Sequence, residues 1–268
     1  ESPALFPPGA FDPPRAEEAG IPLNTVFRTK PELAAAMVES ASRRGIRARW
    51  LTADEAYGSD PGFLDVVHEV GWWYVVEVRR NTHVWVKRPR VLNATPRGKV
   101  GRPRVKPRLA ARSPRSRTVE SLAKDVGSHE WHGVTVAEGT QGRRIYEFAF
   151  LRIVEKRDGL PARDAWLMLR RSLDQAAELK YFFSNAPAHV DRERMATVGS
   201  ERWRVETCIK EAKGQTGLDE SEGRNWNHWH HHTTLAMLAQ AFLTCARLEF
   251  SGKRVPPFQY AGRASSST

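Results

Sequence analysis

With 268 residues, 40% of them hydrophobic and 9% aromatic, the chain can bury a substantial core, and this excludes an intrinsically disordered protein. The longest apolar run, near 233–248, is interrupted by Gln240, Thr244 and Arg247 and falls short of the roughly 20 apolar residues of a membrane span. Lys and Arg number 42 against 31 Asp and Glu, a net charge of +11 that predicts a polyanionic partner.

Residues 1–22 carry six prolines and little periodicity, which predicts an extended lead-in. Pro31 then opens a helix behind Thr29 and Lys30, with Leu33, Met37 and Ala41 at helical spacing as far as Gly45. Arg49–Ala53 reads as a short strand that ends at Asp54. A second helix is predicted from about Asp60 to Val70, with Phe63, Val66, Val67 and Val70 on one face. The run Trp72–Val78 is a buried strand, so the order is helix, strand, helix, strand, as in an α/β sheet.

From Lys87 to Arg117 there are twelve basic residues and no acidic one, so this stretch alone exceeds the net charge. Only ten of the 42 basic residues are Lys, and an arginine-rich composition would explain a diffuse excess but not this clustering. The stretch is predicted to be a flexible loop that contacts DNA, with Arg102, Arg104 and Lys106 among its ligands for phosphate. Four β-rich segments follow, at 134–136, 146–154, 165–169 and 181–184. Beyond Asp191 the chain turns helical, with one helix running to about Lys213 and another from about Trp229 to Phe250. Cys208 and Cys245 form neither a CxxC pair nor a disulfide framework and are expected to be buried in a reducing compartment.

Two places could carry chemistry. Asp54 closes a strand, and functional groups in α/β sheets gather beyond the carboxyl ends of strands, although a helix cap or turn is the commoner use of an Asp there. Asp60 is read as the cap of the helix that follows. Arg202, Glu206 and Lys213 share one helical stripe about two turns long, whose plainer reading is a solvated charged face. The histidines at 228, 230, 231 and 232 lack the spaced partners that complete a zinc site. Trp131 and Trp166 could stack on an unpaired base or pack in a core.

The spacing of Arg202, Glu206 and Lys213, with Trp203 and Val205 between the first two, resembles the R-E-K part of the Y-R-E-K motif of DDE transposases of the Tn5-like insertion-sequence group. Gly199 stands where that motif has Tyr. Thr52-Ala53-Asp54 followed by Tyr57-Gly58 resembles the second-aspartate motif. Phe27–Leu33 and the stretch from Trp226 to Leu238 are similar to segments of actinobacterial-type transposases, and the resemblance spans nearly the whole chain.

The resemblance implies an α/β, ribonuclease-H-like catalytic core, incomplete at the N-terminus, with a β-rich insertion and C-terminal helices. It divides the chain into a lead-in (1–22), the first part of the core (23–86), the basic loop (87–117), the insertion (118–188), the helical part of the core (189–250) and a tail (251–268). Asp54 and Glu206 would be catalytic metal ligands, holding two Mg²⁺ or Mn²⁺ ions roughly 3.5–4 Å apart for in-line attack on phosphate. Arg202 and Lys213 would hold DNA phosphates near the cut. The implied partners are terminal-repeat and target DNA and a second copy in a synaptic dimer, with no membrane, in the bacterial cytoplasm at the nucleoid. The first aspartate of the triad has no counterpart on a strand ahead of Asp54, so a truncated form, inert by itself, is expected. The alternative is an inactive DNA-binding remnant.

Overall fold

A computed structural model describes residues 13–94, 106–139, 142–173 and 178–250. They fall into two compact units, one drawn from the described parts of Glu1–Leu33, Ser40–Ile46 and Arg202–Thr268, the other from those of Ala34–Glu39 and Arg47–Glu201.

The second of these units is built on a mixed sheet. Strand β1 (Trp50–Ala53) pairs in parallel with β2 (Trp73–Glu77) and, among the described residues, with no other strand. Between them the chain makes a single turn, α3 (Glu55–Gly58), and the helix α4 (Pro61–Glu69). Both start on aspartates: Asp54 accepts the Ala56 N–H at 3.0 Å and Asp60 the Phe63 N–H at 2.8 Å. The rest of the sheet is antiparallel. Strands β3 (His83–Trp85), β6 (Arg117–Thr118), β7 (His132–Gly139), β8 (Gly142–Arg157), β9 (Leu160–Ser172) and β10 (Lys180–Ser184) give the order β1-β2-β10-β9-β8-β3-β6, with β7 also on β8. The β-rich segments thus extend the same sheet that carries β1 and β2.

Strand β2 is apolar without alternation because it is covered on both faces. Phe63, Leu64 and Val67 of α4 are buried, and Val76 touches the α3 turn at Gly58. Val75 points the other way, onto Gly199 of α6 (Arg192–Ser200). Tyr74, Val75 and Val76 are at most 1% exposed, and burial on this scale contributes about 1.5–3 kcal/mol for each large apolar side chain.

Several expectations are corrected. The lead-in is not extended throughout: residues 13–18 form a short helix, α1 (Pro13–Glu18), because prolines in a first helical turn cost no hydrogen bond. The ends of the basic stretch are ordered. Short strands β4 (Val91–Leu92) and β5 (Arg108–Leu109) pair, and the Trp85 indole N–H donates to the Pro114 carbonyl at 3.0 Å. A short helix, α5 (Val119–Ala123), follows with Val119 and Leu122 buried. The helix expected from Asp191 to Lys213 is two, since α6 ends at Ser200 and α7 (Trp203–Thr216) starts afresh after Arg202. Helix α8 (Trp226–Phe250) begins three residues earlier than expected. Cys208 and Cys245 are exposed, not buried, for both face outward on helices whose apolar contacts lie elsewhere.

The helix predicted behind Thr29 is α2 (Lys30–Arg43), with Thr29 and Glu32 forming a reciprocal capping box. Thr29 donors hold the Glu32 carboxyl below its ordinary range. No helix among the described residues is long and apolar enough to cross a membrane.

Candidate functional site

Asp54 occupies the carboxyl end of edge strand β1, exposed, with one carboxylate oxygen on the Ala56 amide. The two readings of Asp54 are therefore compatible: it caps α3 and still presents its second oxygen. The turn that presents it is fixed by Gly58. A Cβ there would lie 2.1 Å from the Glu77 carbonyl oxygen, so only glycine lets α3 rest on the end of β2. The neighbouring Tyr57 ring packs on Phe63 at 5.5 Å. Around this strand end the other acids are engaged, Glu55 by Arg79 at 3.1 Å and Glu77 by Lys180 at 3.2 Å.

Behind the loop lies a buried charge network that sequence reasoning missed. The Tyr74 hydroxyl donates to Glu155 at 2.8 Å, Arg157 donates to the other oxygen of Glu155 at 2.8 Å, and Arg157 and Arg163 both reach Asp65 of α4. Burial, then the adjacent Glu155 carboxylate, pushes the Tyr74 hydroxyl well above the usual phenol range. Burial lowers the Arg157 value, but its two carboxylate partners outweigh that and the guanidinium is held charged. A β-bulge between Val154 and Lys156 turns Glu155 inward while Lys156 stays exposed. An acid followed by two cations in a strand gave no sign of which one faced the core.

In the other unit, Glu206 lies in the first turn of α7 and pairs with Arg202 at 2.7 Å, with Glu206 59% and Arg202 31% exposed. Lys213 is two turns on and pairs with Asp219 at 3.5 Å, brought back by the left-handed Gly217. Glu206 and Lys213 are thus on one helix, with Arg202 at the residue that precedes it, and each cation already has an acid beside it. Asp54 and Glu206 stand in different units. Lys106 is exposed, whereas Arg102 and Arg104 lie outside the described residues.

The departure at Gly199 has a packing cause. A Cβ on Gly199 would sit 2.9 Å from Val75, so α6 rests directly on β2 and leaves no space for a tyrosine. Trp166 is buried between Arg152 and Arg192, whose guanidinium carbons are 4.8 and 5.5 Å from its ring centre. Trp131 carries Arg171 over its ring at 4.2 Å. The His228 and His232 rings stack at 6.3 Å and His232 bonds the Gly217 carbonyl at 2.8 Å.

The donor set suits a hard divalent cation in kind, since both candidates are solvent-facing carboxylates. In number it is short: among the described residues no three acidic, histidine or cysteine side chains cluster as a metal site.

No curated protein matches the chain. The family model described as DDE superfamily endonuclease matches residues 1–143, which include β1, Asp54 and β2. The chain belongs to the DDE superfamily of endonucleases, with its mixed α/β, ribonuclease-H-like fold and helices at its C-terminal side.

Proposed function

We propose that the chain is an insertion-sequence transposase of the Tn5-like group, acting on DNA by divalent-metal-dependent strand cleavage and transfer. The observation that carries this reading is the place of Asp54, at the carboxyl end of a parallel edge strand within the residues that match the endonuclease family. Asp54 and Glu206 are proposed as the carboxylates that would hold Mg²⁺ or Mn²⁺, which supplies charge neutralisation of the attacking and leaving oxygens. Arg202 and Lys213 would fix the position of the backbone phosphates, and Lys106, with Arg102 and Arg104, would add contacts that do not read sequence. Terminal-repeat and target DNA are the substrates, bound by a synaptic pair of chains.

This reading names two of the three carboxylates such a site requires. No described strand precedes Trp50, and Asp12 is the one aspartate before Asp54. The edge of β1 that is unpaired among the described residues is where a strand bearing the first aspartate would add. On this reading the 268 residues bind DNA without cutting it, and a DNA-binding remnant is the second reading, favoured by the lack of a three-ligand cluster among the described residues.

Incubating the purified chain with supercoiled plasmid and Mn²⁺ tests this. Binding without nicking is expected. Metal-dependent nicking abolished by Glu206→Gln would contradict the inertness and support the ligand, and failure to bind DNA would contradict the whole reading.

A further inference from the structure

We infer that a cavity beside the tip of the β8–β9 hairpin binds the backbone phosphates of one DNA strand, and that this cavity continues toward the Asp54 loop as a strand track. The inference rests on the DNA-acting reading above and locates, within one unit, where the polyanion runs.

The outer cavity is open and about 530 Å³ in volume. Arg112, Arg115 and Lys156 line it together with Ser113, Ser116 and Trp85, and no carboxylate does. None of the three cations has a carboxylate partner among the described residues: Lys156 donates to the Ser116 hydroxyl at 3.2 Å and lies over the Trp85 ring at 5.6 Å. Seven other cations of this unit, Arg79, Arg88, Arg117, Arg157, Arg163, Arg171 and Lys180, each pair with an acid. Three uncompensated charges facing one concavity repel one another, and a bound anion relieves that repulsion.

The cations are also held, which distinguishes the cavity from a solvated loop. Arg112 has a left-handed backbone, φ 61°, a conformation that arginine adopts only where its surroundings impose it. Ser113 secures that turn by donating its hydroxyl to the Ala110 carbonyl at 2.8 Å, and Trp85, itself 2% exposed, holds the Pro114 carbonyl. On the opposite wall the bulge in β8 leaves Lys156 facing out while Glu155 faces in. Cationic side chains preset on a fixed backbone lose less freedom on binding phosphate than those on a free tail.

Lys156 lines a second, narrower cavity of about 180 Å³, whose far wall is Gly58 and Ser59, four and five residues beyond Asp54. Arg79, His83 and Arg157 complete that passage, and His83 meets Ser116 at 3.4 Å where the two cavities adjoin. The passage cations Arg79 and Arg157 are balanced by Glu55 and Glu155, so the phosphate affinity resides in the outer cavity and the passage gives continuity.

The test uses the full chain and a fluorescein-labelled duplex of about 20 base pairs, with affinity measured from about 50 to about 200 mM KCl. The Arg112→Ala, Arg115→Ala, Lys156→Ala triple variant should reduce the slope of log affinity against log salt by about 2 to 3, close to 0.9 for each lost phosphate contact. Arg112→Lys with Arg115→Lys should keep the slope, because charge and not fork geometry is what the cavity supplies, and this variant also controls for folding. A charge-matched triple at the exposed Arg28, Arg44 and Arg47, each changed to Gln, should leave the slope unchanged. An unchanged slope in the alanine triple, or an equal fall in the charge-matched triple, would overturn the cavity while leaving the DNA-acting reading in place. Failure of the unaltered chain to bind the duplex would overturn both.

Discussion

Tyr74, the second residue of β2, donates its hydroxyl at 2.8 Å to Glu155, 81 residues further along the chain and 3% exposed, so the two halves of the extended sheet share one buried hydrogen bond. Tyr74→Phe leaves a buried carboxylate short of a donor and is expected to cost about 1–3 kcal/mol in denaturant unfolding at neutral pH. The pH dependence follows from the raised Tyr74 value. The folded state keeps its proton where the unfolded tyrosine loses one, so this contribution is complete below about pH 10 and declines as pH rises above it. A Tyr74→Phe variant whose stability falls as steeply above pH 10 as that of the parent would contradict the assignment.

Arg157 is the cation paired with the buried Glu155 carboxyl group. Removing one member of a buried pair strands the other charge, so Arg157→Ala should destabilise by about 3–5 kcal/mol, more than Arg79→Ala at the exposed Glu55 pair. Urea midpoints of the two variants, compared at equal slope, decide it.

Two glycines are expected to resist substitution for different reasons. Gly58→Ala drives a methyl group into the Glu77 carbonyl and should displace the α3 turn that carries Asp54. Gly199→Tyr, which would restore the family's motif residue, forces α6 off Val75 and should lower the melting temperature and not improve function. A stable Gly199→Tyr protein would mean that α6 does not rest on β2.

Asp54 as a strand-end residue, the two-sided burial of β2 and the α7 stripe were legible in the sequence because each depends on local order: strand runs, caps and helical spacing. What was not legible depends on contacts between distant residues. Nothing near Tyr74 announces Glu155, and nothing near Lys87 announces that residues 106–117 fold back onto Trp85. The break before Arg202 was also hidden, since Val198 and Trp203 continue an acceptable helical pattern while Gly199 is demanded by Val75. Helix faces were misjudged for Cys208 and Cys245 because residue type alone does not say which neighbour an element meets.

Arg202→Ala separates a structural pair from a phosphate contact. The Arg202–Glu206 pair is largely solvent-facing and should contribute no more than about 0.3–0.5 kcal/mol to stability. Loss of DNA affinity with an unchanged melting temperature is the expected outcome. An equal affinity for DNA would confine Arg202 to its role beside Glu206.

The proposed function makes Asp54 and Glu206, 152 residues apart in the sequence, ligands of one metal site. Titrating Mn²⁺ into the DNA-bound chain, followed by electron paramagnetic resonance of the free ion, tests it directly for the parent, Asp54→Asn, Glu206→Gln and the double variant. A shared site predicts that either single change weakens Mn²⁺ binding at least about tenfold and that the double change adds little, as coupled residues behave. Single changes that leave binding intact, or losses that simply add, would show that the two carboxylates do not meet at one ion.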